Sequence, residues 1–321
     1  GEAADARRGA GAARQRWPGV KIDCVGIIGL GEVGRILVED LLEQTTLGVR
    51  VWDYQFDNDA SVAAHNLAEL GADSRVGVAS SAAQAAHGCQ VMLSAVTADE
   101  ASSAAESILP GLAQDTIYVD LNSVSPGTKH SVCELIESAG GCFVEAAVMS
   151  PIMPRRSASP VLVSGRHAAG FADLSSQLCF SNVQVASDSP GVAAATKMCR
   201  SVIIKGMEAL VAESLLSARH YGVEATVLAS LENLFPGQDW TAQARYLISR
   251  SLLHGERRAA EMREVARTVE EAGYTPWMSE GCVQRQAWAP QFAAALEEES
   301  LDAMLDSIRT QSTTKQAEKP Q

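Results

Sequence analysis

Gly29, Gly31 and Gly34 stand in a Gly-x-Gly-x-x-Gly run with Leu30, Glu32 and Val33 between them, directly after an apolar stretch over residues 22–28. In such a run the first glycine allows a tight turn and the second lets a pyrophosphate approach the backbone. The third lets the next helix pack closely on the strand. That helix presents unpaired N–H groups and the positive end of its dipole to phosphate. Asp53 ends a second apolar stretch nineteen positions after Gly34, where a carboxylate accepts hydrogen bonds from the adenosine ribose hydroxyls. A 2′-phosphate would meet that carboxylate, and the adjacent Tyr54 and Gln55 bring no cation. The expected cofactor is therefore NAD, with NADP as the alternative. The competing reading is a plain strand-to-helix turn with Asp53 as a solvated strand-end carboxylate.

Further along, the run 120–128 (DLNSVSPGT) places Asn122, Ser123, Val124 and Ser125 at the end of another strand. Short hydroxyl and amide groups there can orient a carboxylate or a hydroxyl at little entropic cost. Ser125-Pro126 also fits an ordinary helix start, and both duties are compatible. Val96 and Thr97, after the strand 91–96, are expected to line the same cofactor cleft as Asn122, the alternative being a loop without ligand contact. Glu145 falls inside an apolar strand, where a carboxylate is costly unless paired. Met149 and its neighbours would form a loop beside the cofactor, and Arg155-Arg156 is either an anion holder or a solvated pair.

Lys197, Ser201, Lys205 and Glu208 follow one another at helical spacing and share a face of an otherwise Ala/Val/Ile/Leu/Met-rich stretch. A lysine on such a face, partly desolvated and beside a second cation, has a pKa lowered towards use as a base or acid. The alternative is an exposed stripe with a Lys205–Glu208 pair. No histidine or cysteine spacing indicates a metal.

The elements that must hold these residues come from the apolar rhythm. Strand-like runs at 22–28, 49–53, 91–96, 116–120, 142–148 and 160–164 alternate with amphipathic helical runs up to about residue 187. This implies a parallel sheet covered on both faces. From residue 191 the pattern is helical almost throughout, beginning with one run of about 30 residues, ~45 Å long. The expected organisation is a disordered arm over residues 1–20 and a Rossmann-type α/β domain over 21–187. An all-α domain over 188–308, joined by the long interdomain helix, and a disordered tail over 309–321 complete it.

The 321 residues are 46% hydrophobic and 20% charged, ordinary for a soluble globular chain. A net charge of −13 argues against nucleic acid or an anionic membrane as partner, and the 5% of aromatic residues leave little for base stacking. Seven cysteines, none in a Cys-x-x-Cys pair, read as reduced thiols of a cytoplasmic protein, with organellar targeting by the arm over residues 1–20 as the alternative.

Taken jointly, Gly29/Gly31/Gly34, the Asp120-to-Pro126 segment and the Gly191-to-Lys197 run resemble the β-hydroxyacid dehydrogenases, which include 6-phosphogluconate and 3-hydroxyisobutyrate dehydrogenases. The stretches LNSVSP, FVEAAVMSP, TKMCRSVIIKG and HGERRAAEM are similar to a subgroup whose C-terminal domain is described as phosphogluconate-dehydrogenase-like. The resemblance covers about residues 21–300. It implies hydride transfer between a small hydroxy acid and a nicotinamide cofactor, with Lys197 as general acid/base and Ser123 anchoring the substrate. It also implies a homodimer formed through the helical domain, in which His254 and Arg257 either reach the partner's site or lie on a solvated helix face. Val124, Ser125, Met149 and Lys205 complete the expected substrate contacts. Ser201 stands where the family carries an asparagine, the glycines before Lys197 are thinned to GVAAATK, and Ala147 to Ser150 replace a Gly-Gly pair. These departures put the substrate in doubt more than the reaction. An imine reductase shares the architecture but often lacks the lysine, and a dinucleotide sensor without catalysis is the reading from another class.

Overall fold

The computed structural model describes residues 21–71, 73–233 and 235–317, so the expected arm over residues 1–20 and the last residues of the tail lie outside the described residues. Its α/β part contains the strands β1 (Cys24–Ile28), β2 (Gly48–Trp52), β3 (Val76–Val78), β4 (Val91–Ser94), β5 (Ile117–Asp120), β6 (Cys142–Val148), β7 (Val161–Ser164) and β8 (Val183–Ser187). Between them run α1 (Glu32–Gln44), α2 (Val62–Glu69), α3 (Ala82–Ala86), α4 (Ala101–Ile108), α5 (Pro126–Ser138) and α6 (Ala168–Leu174). The strands form one sheet in the order β3-β2-β1-β4-β5-β6-β7-β8. The order reverses between β1 and β4, which opens a crevice at their carboxyl ends.

Successive residues of a strand point to opposite faces, and the apolar residues divide accordingly. Val25, Ile27, Val49, Val51, Leu93 and Val119 pack with Leu37, Val38 and Leu41 of α1 and with Phe171 of α6. Ile28, Met92, Tyr118 and Phe143 pack on the other face with Ala85, Ala105, Val132 and Ile136 from α3, α4 and α5. Two-sided burial is why these strands read as unbroken apolar runs.

The alternating rhythm leads one to expect a wholly parallel sheet, and the sheet departs from that at one strand. β7 runs antiparallel to β6, with Glu145 opposite Ser164. The two are joined by a loop instead of a crossover helix, and antiparallel pairing needs no crossover. β3 and β8 go beyond the strands readable in the sequence. Both are largely exposed and carry little apolar signal.

The helical part consists of α7 (Val192–Tyr221), α8 (Glu224–Ser230), α9 (Trp240–Glu271), α10 (Trp277–Trp288) and α11 (Leu301–Ala317). The chain divides into two compact units at Ala195/Thr196. Leu215 of α7, Ile248 and Leu252 of α9, Phe292, and Met304, Leu305 and Ile308 of α11 form the core of the second unit. α11 continues through Arg309 to Ala317, where the sequence leads one to expect a disordered tail. Ile308 is buried in that core, and Arg309 donates to the Arg219 carbonyl and to Asp306. Once the helix is anchored there, its polar last turns follow. Among the described residues no helix is long and apolar enough to cross a membrane.

Candidate functional site: a glycine loop and a buried charge network

In the first unit the predicted cofactor residues form one connected structure. Gly29 has φ +90°, a conformation that L side chains rarely adopt, and a Cβ on it would meet the Ala95 carbonyl oxygen at 2.5 Å and Val96 Cγ1 at 2.7 Å. At Gly34 a Cβ would lie 1.9 Å from the Gly29 carbonyl oxygen. These two glycines are required by the protein's own packing. Gly31 differs, because a Cβ there would meet nothing within 4 Å. It faces open space at the start of α1, the place where backbone approach by a phosphate is expected.

Asp53, half-buried beyond the end of β2, accepts from the Leu30 N–H through Oδ2 at 2.8 Å and from the Gln55 N–H through Oδ1 at 2.9 Å. The Leu30 carbonyl accepts from the buried Asn66 side chain at 2.9 Å. Asp53 and Asn66 thus fix the loop from two sides. Sequence reasoning missed Asn66, which lies on α2 at no recognisable motif spacing. Each Asp53 oxygen keeps lone-pair capacity for a further donor.

On the β4 side, Asn122 is buried and bridges two strand ends. Its Oδ1 accepts from the Val96 N–H at 2.7 Å and its Nδ2 donates to Ser94 Oγ at 2.9 Å. Thr97 is exposed, at the mouth of the following 3-10 turn. Ser123 is half-buried, whereas Val124 is wholly enclosed. Ser125 caps α5, its buried hydroxyl accepting from the Thr128 N–H at 3.2 Å. The loop owes its shape to an ion pair that sequence reasoning missed. Lys129 Nζ lies 3.0 Å from Asp120 Oδ1 and donates to the Asp120 carbonyl at 2.9 Å, both side chains being almost fully buried.

The costly carboxylate in β6 has an explanation. Glu145 accepts from the Ser164 hydroxyl at 2.5 Å, from the Gly191 N–H at 2.5 Å and from the Ala194 N–H. Ser164 Oγ in turn accepts from the Ala193 N–H at 3.1 Å. A charged cap therefore pins the first turn of α7 to the sheet, where the helix dipole favours negative charge. Of the two loop arginines, Arg155 is exposed, and Arg156 is not an anion holder. Its guanidinium pairs with Asp40 at 2.6 Å and Glu39 at 2.8 Å, tying the loop to α1. Met149 is half-buried, its N–H donating to the Pro160 carbonyl at 2.8 Å.

The polar stripe of α7 is half to fully buried instead of displayed. Ser201 and Glu208 are buried, and Lys197 and Lys205 are half-buried. Lys205 and Glu208 do not pair with each other, contrary to the local reading. Lys205 Nζ pairs with Glu261 of α9 at 2.5 Å. Glu208 Oε2 receives Arg258 of α9 at 2.7 Å and the Gln286 side-chain amide of α10 at 3.1 Å. Partners on separate helices outcompete an i,i+3 neighbour because a buried charge is stable only with close, well-aligned partners.

Burial by itself would raise the Glu261 carboxyl, but the charges of Lys205, Arg257 and Lys197 override it and hold the carboxyl below its usual value. For Glu208 burial wins over Arg258 and the carboxyl is raised, while burial lowers the Arg258 guanidinium. His254 is half-buried on α9. Arg258, Glu261, Gln286 and Cys282, whose thiol donates to the Lys205 carbonyl at 3.1 Å, all come from the C-terminal segment that completes this network.

Comparison with known proteins follows the same division. The NAD binding domain of 6-phosphogluconate dehydrogenase matches residues 24–175, and a domain of unknown function, DUF1932, matches residues 218–289. A conserved hypothetical protein from Sinorhizobium meliloti is 32% identical, with a TM-score of 0.71 over 90% of this chain and 97% of its own. A second solved structure, of a conserved protein of unknown function described as structurally similar to 3-hydroxyacid dehydrogenases, is 30% identical. Its TM-score is 0.64, over 84% of this chain and 98% of its own. Human mitochondrial 3-hydroxyisobutyrate dehydrogenase is 23% identical over 219 residues, which are 68% of this chain and 63% of the human protein. The alignment thus spans less than two thirds of that curated relative. With the glycine loop, the strand order and the helical second unit in place, the chain belongs to the β-hydroxyacid dehydrogenase, or 6-phosphogluconate-dehydrogenase-like, family.

Proposed function

We propose that this protein is a nicotinamide-dependent oxidoreductase that interconverts a small hydroxy acid and its carbonyl form, with NAD preferred over NADP. The observation that carries this reading is the asymmetry of the glycine loop: Gly29 and Gly34 are filled against the protein, and Gly31 alone opens to space at a helix start. The backbone of residues 29–34 would hold the pyrophosphate, Asp53 the adenosine ribose, and Val96, Thr97 and Asn122 the far side of the cleft. A bound nicotinamide supplies the hydride acceptor or donor.

The NAD preference is supported by the charges near Asp53. Arg35, whose guanidinium reaches Asn66, is engaged by Glu39 at 2.7 Å and by Glu69. A 2′-phosphate would have to break those pairs and approach the Asp53 carboxylate as well.

Lys197 takes the hydroxyl proton in oxidation and returns it in reduction. Ser201 assists on the same helix face. Ser123 anchors the substrate, and Met149, Lys205 and His254 complete its surroundings. The helical part pairs two copies of the chain. The exposed Ile203 and Leu210 of α7 and Tyr246 and Leu253 of α9 support this.

The test is an initial-rate screen of hydroxy acids and of cyclic imines with both cofactors, followed by nicotinamide absorbance. Turnover of a hydroxy acid with a higher kcat/KM for NAD is the expected result. A kcat/KM favouring NADP overturns the cofactor preference. Turnover of imines alone replaces the hydroxy acid reading, and tight NADH binding without any turnover replaces it with a sensor.

A further inference from the structure

Away from the glycine loop, at the amino-terminal ends of β1 and β4, two cysteine sulfurs lie against each other. Cys24 Sγ is 2.6 Å from Cys89 Sγ. The backbone around them is held in register by neighbouring strands. The Gln90 N–H donates to the Cys24 carbonyl at 3.2 Å, and the Gln90 side-chain carbonyl accepts from the N–H groups of Asp23 and Cys24 at 2.9 and 3.0 Å. The two thiols differ in exposure: Cys24 is half-buried, and Cys89 is buried with its sulfur 3.3 Å from the Ala85 carbonyl. Arg50 of β2 brings a positive charge to the pair, its guanidinium being held by the carbonyls of Gln84 and His87.

These are the attributes of a reactive thiol with a resolving partner: access, a nearby cation and a second sulfur within reach. We propose that Cys24 and Cys89 form a peroxide-reactive dithiol that closes to a reversible disulfide joining the start of β1 to the turn before β4. The thiol chemistry agrees. The hydrogen bond with Cys89 lowers Cys24 below the usual thiol value against the effect of burial, with help from Arg50, while the bond to Cys24 and burial raise Cys89. Burial instead pushes Cys133 up to about 12 and Cys142, Cys179 and Cys282 up to about 11.

The step balances with hydrogen peroxide as oxidant. The Cys24 thiolate attacks one peroxide oxygen, the S–O bond forms, the O–O bond breaks, and hydroxide leaves and takes a proton to become water. The Cys89 sulfur then attacks the sulfenic sulfur of Cys24. The S–S bond forms, the S–O bond breaks, and a second water leaves with the Cys89 proton. Two thiols have given two electrons to one peroxide, and a dithiol reductant returns them. The closed ring would enclose the glycine loop and Asp53, so the crosslink lies within the nucleotide half without touching its ligand face.

The experiment uses the full chain, reduced, treated with limiting hydrogen peroxide, alkylated and digested without reductant. The expected product is a peptide pair joined through Cys24 and Cys89, lost on treatment with dithiothreitol. Exposed Cys199 should remain alkylated as the internal comparison. Cys89→Ser should accumulate sulfenic acid at Cys24, captured by dimedone about tenfold more than in the wild type. Recovery of Cys24 and Cys89 both alkylated while Cys199 is oxidised would overturn the proposal. So would a dimedone adduct at Cys24 that is as abundant in the wild type as in Cys89→Ser. The readout is covalent and holds whether or not the protein turns over a hydroxy acid.

Discussion

The glycine loop and the α7 stripe hold their functional groups by opposite means. In the loop the backbone does the work. Gly29 and Gly34 touch main-chain atoms, and the surrounding side chains, Asp53 and Asn66, bond to main-chain N–H and C=O groups. In the stripe side chains hold side chains, and the pairs Lys205–Glu261 and Glu208–Arg258 join α7 to α9. A backbone device tolerates no change of shape but needs no charge balance. A charge network tolerates small changes of shape but not the loss of one partner. The two regions should therefore fail differently under mutation.

The largest separation is expected from Lys197→Met. If Lys197 is the general acid/base, kcat falls by about 10²–10⁴-fold, while the NADH dissociation constant measured by calorimetry or fluorescence stays at the wild-type value. A variant with near wild-type kcat on a matched substrate would remove Lys197 from the chemistry. It would leave the stripe a purely structural feature.

Next comes Glu208→Ala. It leaves Arg258 and Gln286 buried without their shared acceptor, and losing one member of a buried pair costs about 3–5 kcal/mol. Urea unfolding should show that loss in the folding of the second unit. Asp120→Ala, which strands the buried Lys129, should cost a similar amount in the first unit. A cost below about 1 kcal/mol, the range of an exposed pair, would mean that water reaches the network and that its charges are not enclosed.

The loop is tested by comparing two glycines. Gly34→Ala drives a methyl group into the Gly29 carbonyl and should destabilise the fold by roughly 1–3 kcal/mol, the range for overpacking. Gly31→Ala adds a methyl group to open space, so its melting temperature should match wild type while NADH affinity falls about tenfold or more. If Gly31→Ala binds NADH normally, the open side of the loop is not the phosphate side.

What could be read in the sequence follows the same contrast. The glycine run and the spacing to Asp53 were legible because a backbone requirement leaves a residue-type signature within a short stretch. The sheet's buried strands were legible because burial on both faces writes an unbroken apolar run. β3 and β8 were not, since Val76–Val78 and Val183–Ser187 are too exposed to leave that mark. The direction of β7 depends on how a loop closes, which has no periodicity. The charge network was half legible. Lys197, Ser201, Lys205 and Glu208 announce a common face by spacing, but their partners on α9 and α10 are set by tertiary packing. A local rule therefore paired Lys205 with Glu208 wrongly. Asn66, Lys129 and Gln286 were invisible for the same reason, each being a single polar residue whose partner lies elsewhere in the chain.

The smallest expected effect is also the most specific for the network. Glu261 has a carboxyl held below its usual value of 4.5. A carboxylate whose folded pKa is depressed contributes stability that is fully present above its unfolded value and is lost as pH falls through the folded one. Unfolding free energies of wild type and Glu261→Gln, measured by urea at pH 7 and again near pH 3, should therefore differ more at pH 7. The gap should narrow as the solution is acidified below that usual value of 4.5. Carboxylates remote from Lys205 cancel when the two are compared at the same pH, while Glu208, which also feels the Lys205 charge, adds a smaller change of its own. A gap that stays constant with pH would mean that the Glu261 carboxylate is not ionically coupled to Lys205. The pairing at 2.5 Å would then be a contact of shape and not of charge.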